Sequence, residues 1–383
     1  MEDVMKEFSF EMPTEIEFGV KKIEIIPEKL EELNIEKLLI VTDEGIRKAG
    51  ILDKIETDLK EIDYEIYDGV EPNPKDFHVE EGADFAREFD PDGIMALGGG
   101  SPIDCAKGIG AMLSGKQEDI DQYYGKETVE EEILPFIAVP TTAGTGSEVT
   151  FSSVITESDS NSKKSIRSPI LAPDLSILDP ELTMSLPESL TAYSGMDAFT
   201  HAIEAYTAKT STALTNVFAL SSMELILKNI ESVVKEPKDI DSRSAMLLGS
   251  TTAGISFNHS DVASVHCMAE SLGGKYDAPH GLCNSIILPY VMEYNMEYCP
   301  KKYARLAELM GYRFETNEEG AMKAVEGIKD LTEKLEIPSI DEVGLKENDI
   351  EELAEMSVKN LSNESNPRGM KKEDYVKLFK KML

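Results

Sequence analysis

The sequence is short of cysteine and contains no long apolar run. Its 383 residues include four cysteines, Cys105, Cys267, Cys283 and Cys299, and none of them forms a CxxC pair. A chain of this size buries a core without covalent staples, so we expect small core thiols rather than a disulfide framework. No apolar run reaches the roughly 18 residues that a membrane-spanning helix needs. Residues 1–10 lack the apolar segment of a signal peptide, so the sequence predicts a cytoplasmic protein.

Positive charge is also scarce. Lys and Arg number 38 against 73 Asp and Glu, which gives a formal net charge of −35. Such a surface repels nucleic-acid phosphates and anionic lipid headgroups, so neither a nucleic acid nor a membrane is an expected partner. Extra carboxylates would keep a surface hydrated in a salt-rich cytoplasm, and ordinary acidic drift explains the charge equally well. The apolar share of 41% indicates a folded protein rather than a disordered one.

The first part of the chain alternates strand-like and helix-like segments. Short apolar runs predict strands at residues 37–42, 64–67, 93–97, 136–139 and 175–178. Amphipathic segments predict helices between them at residues 52–61, 79–89 and 101–113. This alternation predicts an α/β fold with a mostly parallel, doubly wound sheet.

The pattern changes after Pro187, where strand-like runs end. Segments rich in Ala, Leu, Met, Glu and Lys predict helices at residues 190–206, 215–231, 242–257, 301–310, 320–335 and 349–359. Five prolines are expected to break helices here: Pro279, Pro289, Pro300, Pro338 and Pro367. We therefore predict an α/β domain at residues 1–185 and an all-helical domain at residues 186–383.

A glycine-rich loop follows the predicted strand at residues 93–97 and opens a helix. It consists of Gly98, Gly99, Gly100 and Ser101, and Pro102 fits the first helical turn. Glycines let a backbone approach an anion closely, and the exposed N–H groups and the helix dipole favour phosphate. The sequence thus favours a pyrophosphate site, with a tight turn that binds nothing as the alternative.

Two further segments strengthen this interpretation. Asp43 ends an earlier strand, where a carboxylate can accept hydrogen bonds from a ribose 2′-hydroxyl and repel a 2′-phosphate, which favours NAD over NADP. Residues 140–148 form a second loop after a strand, rich in small hydroxyl side chains, although a simple polar turn would have the same composition. The usual G-x-G-x-x-G at the first strand is missing, so this is not the standard dinucleotide fingerprint.

A histidine set has spacing that suits a metal ion. Asp197 and His201 lie four residues apart and share one face of a predicted helix, and His266 and His280 follow in a second region. One carboxylate and three imidazoles suit Fe²⁺ or Zn²⁺ with positions left for substrate. A single histidine is more often capped or solvated, and an isolated Asp-x-x-x-His pair is often only a surface pair. The remaining two of the five histidines lie in polar connections and are assigned no function: His78 and His259.

Together these motifs resemble the iron-containing (group III) alcohol dehydrogenase family. The matching stretches are residues 41–43, 72–74, 98–107, 140–148, 195–206, 265–289 and 366–368, so the resemblance spans nearly the whole chain. It implies an N-terminal Rossmann-like NAD domain and a C-terminal helical metal domain of the dehydroquinate synthase-like superfamily, with the active site in the cleft between them. It also implies a homodimer or a larger homo-oligomer.

The resemblance implies roles for individual residues. The ligands of a catalytic Fe²⁺, or of Zn²⁺ as the alternative, would be Asp197, His201, His266 and His280. Asp43 would meet the adenosine ribose, and Gly99, Gly100 and Ser101 the pyrophosphate. The rest of the NAD site would be lined by Asn73, Asp104, Thr141, Thr142, Thr145 and Lys163.

One position departs from the family pattern. Many members carry a further histidine four residues after the one that matches His266, and this chain has Glu270 there. Because the two positions share a helix face, we predict that Glu270 takes part in catalysis with His266. It would act as a proton relay, a further metal neighbour or a contact to a substrate hydroxyl. Direct ligation is the less favoured of these, because one carboxylate and three imidazoles already suffice.

The activity implied is NAD-dependent and metal-dependent oxidation of small primary alcohols or diols, with aldehyde reduction as the reverse reaction. The metal would polarise the alcohol oxygen, and the hydride would pass to the nicotinamide. A glycerol dehydrogenase-like or related zinc enzyme is one alternative. The other is a catalytically silent NAD- and metal-binding protein, which would require a broken ligand set.

Overall fold

The computed structural model of the chain describes residues 6–57, 59, 62–115 and 117–383. Within these ranges the chain folds into two compact units. The α/β unit comprises residues 11–142 and 146–186, and the helical unit comprises residues 6–10, 143–145 and 187–383. The predicted assignment of residues 1–185 to NAD and of residues 186–383 to a metal stays a prediction.

The α/β unit is built on a parallel sheet. Its strands are β1 (Glu15–Phe18), β2 (Lys37–Val41), β3 (Asp63–Tyr67), β4 (Gly93–Gly98), β6 (Phe136–Pro140) and β9 (Leu175–Leu178), and β5 (Gly125–Lys126), β7 (Ser152–Glu157) and β8 (Ser162–Arg167) form a smaller sheet. The main sheet has the order β1-β9-β6-β4-β2-β3 with every pair parallel. The predicted parallel α/β fold is therefore confirmed.

Helices cover both faces of this sheet. They are α1 (Ile26–Glu32), α2 (Glu44–Lys48), α3 (Ile51–Glu56), α4 (Asp76–Phe89) and α5 (Gly100–Ser114). Because side chains alternate along a strand, Leu39 and Val41 belong to the core that contains α4 and α5. Leu38 and Ile40 belong to the opposite core with α1 and α3. Burial on both faces explains why these strands read as unbroken apolar runs.

The less apolar strands were not predicted from the sequence. β1 has the sequence EIEF with mostly exposed side chains, and β7 and β8 pair as an antiparallel hairpin of largely polar, half-buried residues. Neither gives a strong apolar signal. The helix predicted at residues 52–61 is observed as α3, and the last part of that prediction falls partly outside the described residues.

The helical unit confirms the predicted all-helical second part. Its helices are α6 (Glu188–Thr207), α7 (Ala213–Lys235), α8 (Ile240–Asn258), α9 (Ser264–Tyr276), α10 (His280–Asn295), α11 (Pro300–Leu309), α12 (Asn317–Lys334), α13 (Ile350–Lys359) and α14 (Lys372–Met382). They enclose one apolar core to which α6, α7, α9 and α10 contribute buried residues. No helix among the described residues is both long enough and apolar enough to cross a bilayer.

The prediction that Pro289 breaks a helix is wrong, because this proline lies inside α10. A proline removes one helical hydrogen bond and crowds the preceding turn. Here α10 packs against α6, α9 and α12, and its residues are buried on nearly every side. Tertiary packing therefore holds the helix through the proline.

Candidate active site

Four potential metal ligands from three helices meet in the helical unit. Asp197 and His201 lie one turn apart on α6, His266 is in the first turn of α9, and His280 is the first residue of α10. Each offers one ligand atom, and these atoms all lie within 4.8 Å of one another. Three of the four side chains are buried, and only His280 is partly exposed. The structure thus brings together the set that the sequence predicted.

Asp197 lies at the centre of this group. Its Oδ1 atom is 3.9 Å from His201 Nδ1, 4.0 Å from His266 Nε2 and 3.7 Å from His280 Nε2. Burial by itself would raise the pKa of Asp197, but the charges of the surrounding imidazoles outweigh burial and lower the pKa. Burial lowers the pKa of His201 to about 4, because it disfavours the imidazolium. These shifts favour an ionised Asp197 and a neutral His201, the states that bind a divalent cation. Burial would lower the pKa of His266, but its hydrogen bond to Glu204 outweighs burial and raises that pKa.

Two buried side chains that the sequence analysis missed surround the ligands. Asn284, one turn after His280 on α10, donates from Nδ2 to Asp197 Oδ1 at 2.6 Å and lies 3.2 Å from the Nε2 atoms of His266 and His280. Glu204 on α6 accepts from His266 Nδ1, with 2.6 Å between Oε2 and the nitrogen. The available signal was spacing, since Glu204 follows Asp197 by seven residues and Asn284 follows His280 by four.

The chemistry of this donor set fits a divalent transition metal. Imidazole and carboxylate are ligands that Fe²⁺ and Zn²⁺ both accept. The outer hydrogen bonds to Asp197 and His266 are of the kind that orients metal ligands. Fe²⁺ and Zn²⁺ fit equally well, and the ligand roles of the four residues stay a prediction.

Glu270 has a different partner. It lies one turn after His266 on α9, and Asn360 at the end of α13 donates from Nδ2 to Glu270 Oε2 at 2.5 Å. The group of possible ligands found among the described residues does not include Glu270. Asn360 was missed because nothing in its local sequence indicates a contact 90 positions away. The catalytic role of Glu270 stays a prediction, with relay or substrate contact favoured over ligation.

In the α/β unit, the glycine loop forms a backbone cradle between β4 and α5. Gly98 has a φ of 153°, and a Cβ there would lie 2.6 Å from Pro102 Cγ. Gly99 is the N-cap of α5 with an ordinary φ of −77°, and a Cβ there would lie 3.2 Å from Thr142 Cγ2. Gly98 leaves no room for a Cβ, and the N-terminus of α5 directs N–H groups to the same place. The cradle fits a pyrophosphate.

Other predicted cofactor residues lie against this cradle. Asp43 is the N-cap of α2, where its Oδ1 accepts from the Ile46 N–H at 3.1 Å, and burial raises its pKa. Its Oδ2 would be 3.3 Å from a Cβ at Gly98. The Thr141 N–H donates to the Gly98 carbonyl at 2.9 Å. The structure thus groups Asp43, Thr141 and Thr142 with the glycine loop.

Asp104 has its hydrogen bonds inside the α/β unit. Its carboxylate accepts from Ser147 Oγ at 2.5 Å and from the Val154 N–H at 3.0 Å. Fully buried Lys107 donates to the carbonyls of Ser147 at 2.7 Å and Thr150 at 2.9 Å, and burial lowers its pKa to about 8. These bonds fasten the chain after residue 146 to α5.

The contacts described above do not include three other predicted cofactor residues. Lys163 lies on β8, where its positive charge acts to lower the pKa of Asp104, although burial outweighs it and raises that pKa. Asn73 precedes Pro74 with a left-handed φ of 54°. Thr145 belongs to the helical unit. The cofactor roles of these residues, like that of Asp104, stay predictions.

Comparisons with known proteins point to one family. Residues 13–180 match the family model described as iron-containing alcohol dehydrogenase, and residues 191–383 match the model of the C-terminal part of the Fe-containing alcohol dehydrogenase family. A 1,3-propanediol dehydrogenase from Klebsiella pneumoniae is 40% identical over 380 residues, which cover 97% of this chain and 98% of the relative. A choline dehydrogenase from Bacillus subtilis is 37% identical and covers 100% of this chain and 96% of the relative. The crystal structure of a 1,3-propanediol oxidoreductase superposes with a TM-score of 0.95 at 39% identity and covers 99% of this chain and 100% of that one.

Proposed function

The chain belongs to the iron-containing alcohol dehydrogenase family and is an oxidoreductase, and from this premise we propose that it interconverts small primary alcohols or diols with their aldehydes, using NAD and a divalent metal ion. The observation that carries the proposal is the convergence of one carboxylate and three imidazoles within 4.8 Å. The 1,3-propanediol dehydrogenase relative, at 40% identity, supports a short diol as substrate.

The ion would be held by Asp197, His201, His266 and His280. When bound, it supplies Lewis-acid polarisation of an alcohol or carbonyl oxygen. Fe²⁺ is the proposed ion, with Zn²⁺ as the alternative. The neutral state of His201 and the ionised state of Asp197 present lone pairs rather than protons to a cation.

Glu270 is the proposed site of proton exchange with the substrate hydroxyl. Its Oε2 atom is held by the amide of Asn360, which leaves Oε1 as the acceptor atom that takes part. Proton transfer by a positioned side chain contributes typically about 10²–10⁴-fold to an enzymatic rate. A substrate contact at the same carboxylate is the alternative role.

NAD, which supplies the hydride acceptor, would bind in the α/β unit. The loop at Gly98, Gly99, Gly100 and Ser101 would bind the pyrophosphate, and Asp43 would accept from the adenosine ribose. We also propose a homodimer or larger homo-oligomer, as the family resemblance implies, and light scattering of the purified protein tests this.

The test begins with elemental analysis of protein purified without oxygen. We expect one divalent ion per chain and NADH-dependent reduction of the aldehydes of 1,3-propanediol or choline, with weaker use of NADPH. His280→Ala should lose metal and turnover together, because Asp197 and the remaining imidazoles would bind the ion less tightly. His259→Asn is the matched control outside the ligand set. A protein supplied with Fe²⁺ that retains no metal, or turns over no alcohol with either cofactor, contradicts the proposal.

A further inference from the structure

Glu204 is a buried carboxylate that accepts four hydrogen bonds from one short segment. It lies on α6, and its side chain is among the buried charged residues of the helical unit. Oε1 accepts from the Val265 N–H at 2.7 Å, and Oε2 accepts from the Ala263 N–H at 2.9 Å. Oε2 also accepts from the His266 N–H at 3.4 Å and from His266 Nδ1 at 2.6 Å. Backbone and imidazole donors therefore compensate the buried charge.

These bonds satisfy the first backbone N–H groups of α9, which its own N-cap residue cannot satisfy. Its N-cap residue, Ala263, has no side chain that can accept from the first N–H groups. A capping carboxylate from another helix satisfies them and meets the positive end of the helix dipole. The same carboxylate binds the side chain of His266, the first-turn residue that belongs to the ligand set. Glu204 thus fixes both the start of α9 and the imidazole that α9 carries.

We propose that Glu204 is a positioning residue of the metal centre: its carboxylate holds His266 in the tautomer with the proton on Nδ1, so that the Nε2 lone pair is directed to the ion. A neutral imidazole carries one N–H and one lone pair, and the acceptor on one nitrogen decides which nitrogen is which. The inference rests on the proposed function, because the tautomer matters to binding only if the four side chains hold a metal.

The other side of the ring agrees with this tautomer. Asn284 Nδ2, an N–H donor, lies 3.2 Å from His266 Nε2. A donor at that distance is compatible with a lone pair on Nε2 and with the proton on Nδ1, and the same NH₂ group also lies near Asp197 Oδ1 and His280 Nε2. The contact of Glu204 at Nδ1 carries the assignment of the tautomer, and the contact at Nε2 agrees with it.

An amide in place of the carboxylate would weaken this arrangement. In Glu204→Gln, one oxygen becomes an NH₂ group, which cannot accept from an N–H donor. The remaining oxygen satisfies most donors when it faces Ala263 and His266, but the Val265 N–H then loses its acceptor and the bond to His266 Nδ1 is no longer charge-assisted. The proton is thus held less firmly on Nδ1, and the tautomer with the proton on Nε2, the nitrogen that faces Asp197, becomes more populated. A proton on a ligand atom competes with the metal, so affinity should fall. Loss of an outer partner of this kind typically costs about 10–100-fold in metal affinity.

Zn²⁺ affinity is one readout, measured by competition with a chromophoric chelator. We expect a loss of about 10–100-fold in Glu204→Gln and no loss in Glu188→Gln, an exposed glutamate on the same helix. The second readout is the ¹⁵N spectrum of metal-free protein labelled at its five histidines, with the His266 signal assigned by its absence in His266→Gln. At a pH where His266 is neutral, we expect a protonated Nδ1 in the wild type and a larger share of protonated Nε2 in Glu204→Gln.

The outcomes separate this inference from the proposed function. If the wild type binds Zn²⁺ and Glu204→Gln binds it as tightly with an unchanged tautomer, the positioning role is refuted. If the wild type binds no metal, the proposed function fails instead. If Glu204→Gln does not fold, the wild-type spectrum decides alone, because a proton on His266 Nε2 in that protein would overturn the inference.

Discussion

The glycine loop allows a sharp test, because two neighbouring glycines are required for different reasons. Gly98 has a φ of 153°, and an added Cβ would meet Pro102 Cγ at 2.6 Å. Backbone strain of about 1–3 kcal/mol and overpacking of about 1–3 kcal/mol predict that Gly98→Ala loses about 2–6 kcal/mol of unfolding free energy. Gly99 has an ordinary φ of −77° and its added Cβ would lie 3.2 Å from Thr142 Cγ2. Gly99→Ala should therefore cost about 1 kcal/mol or less, the usual size of an N-cap change.

The affinity for NADH should change in Gly99→Ala even though its stability changes little. A methyl group at Gly99 would hold a pyrophosphate away from the first N–H groups of α5. Loss of one hydrogen bond to a charged group costs about 1.5–3 kcal/mol, so the Kd for NADH should rise about 10–150-fold. The assay is titration of NADH fluorescence, paired with chemical denaturation of each variant.

Gly110→Ala is the matched control, since Gly110 lies on the same helix and its added Cβ would be 3.4 Å from Ile133. It should leave NADH affinity unchanged and stabilise the helix by about 0.5–1 kcal/mol. A folded Gly99→Ala protein that binds NADH as tightly as the wild type would refute the loop as the pyrophosphate site.

Two further predictions concern single carboxylates. Glu270→Gln should lower kcat for alcohol oxidation while the metal content stays the same, because Glu270 lies outside the ligand group. Unchanged kinetics at equal metal content would show that Glu270 takes no part in the reaction. Asp43→Ala should raise the ratio of kcat/KM for NADPH over NADH, because a carboxylate that repels a 2′-phosphate is gone. The same variant should lose about 1 kcal/mol of unfolding free energy with the N-cap bond to Ile46, and an unchanged cofactor ratio would contradict the placement of the ribose at Asp43.

The parts of the fold that the sequence predicted are those with a simple burial pattern. Strands β2, β4, β6 and β9 are buried along their whole length or nearly so, and each was recognised to within about one residue from its apolar run. α9 and α10 were not among the helices predicted from the sequence pattern, although a helix face shared by His266 and Glu270 was assumed. They are buried on nearly all sides, so they show no amphipathic stripe, and Pro289 disguises α10 further.

The candidate site likewise contains residues that the sequence predicted and residues that it did not. Asp197 and His201 were predicted together because their spacing places them on one helix face. His266 and His280 were assigned to the same ligand set by the resemblance to the family. Glu204, Asn284 and Asn360 were missed because their partners are 62, 87 and 90 positions away. Glutamate and asparagine are common on surfaces, so the helical spacing of Glu204 and Asn284 from the ligands was too weak a signal without these tertiary contacts.

The net charge of −35 belongs mostly to carboxylates that are not buried, and the few buried ones have compensation of their own. Many surface carboxylates face water or pair with lysines, as Glu293 does with Lys329 and Lys381, and salt screens such exposed charges. Asp197 and Glu204 are compensated from within, one by imidazoles and an amide, the other by N–H groups of α9. Helix α6 carries both residues. It therefore supplies one metal ligand, Asp197, and also the acceptor, Glu204, that orients the ligand His266. The metal affinity of this centre should therefore follow these few contacts rather than the charge of the surface.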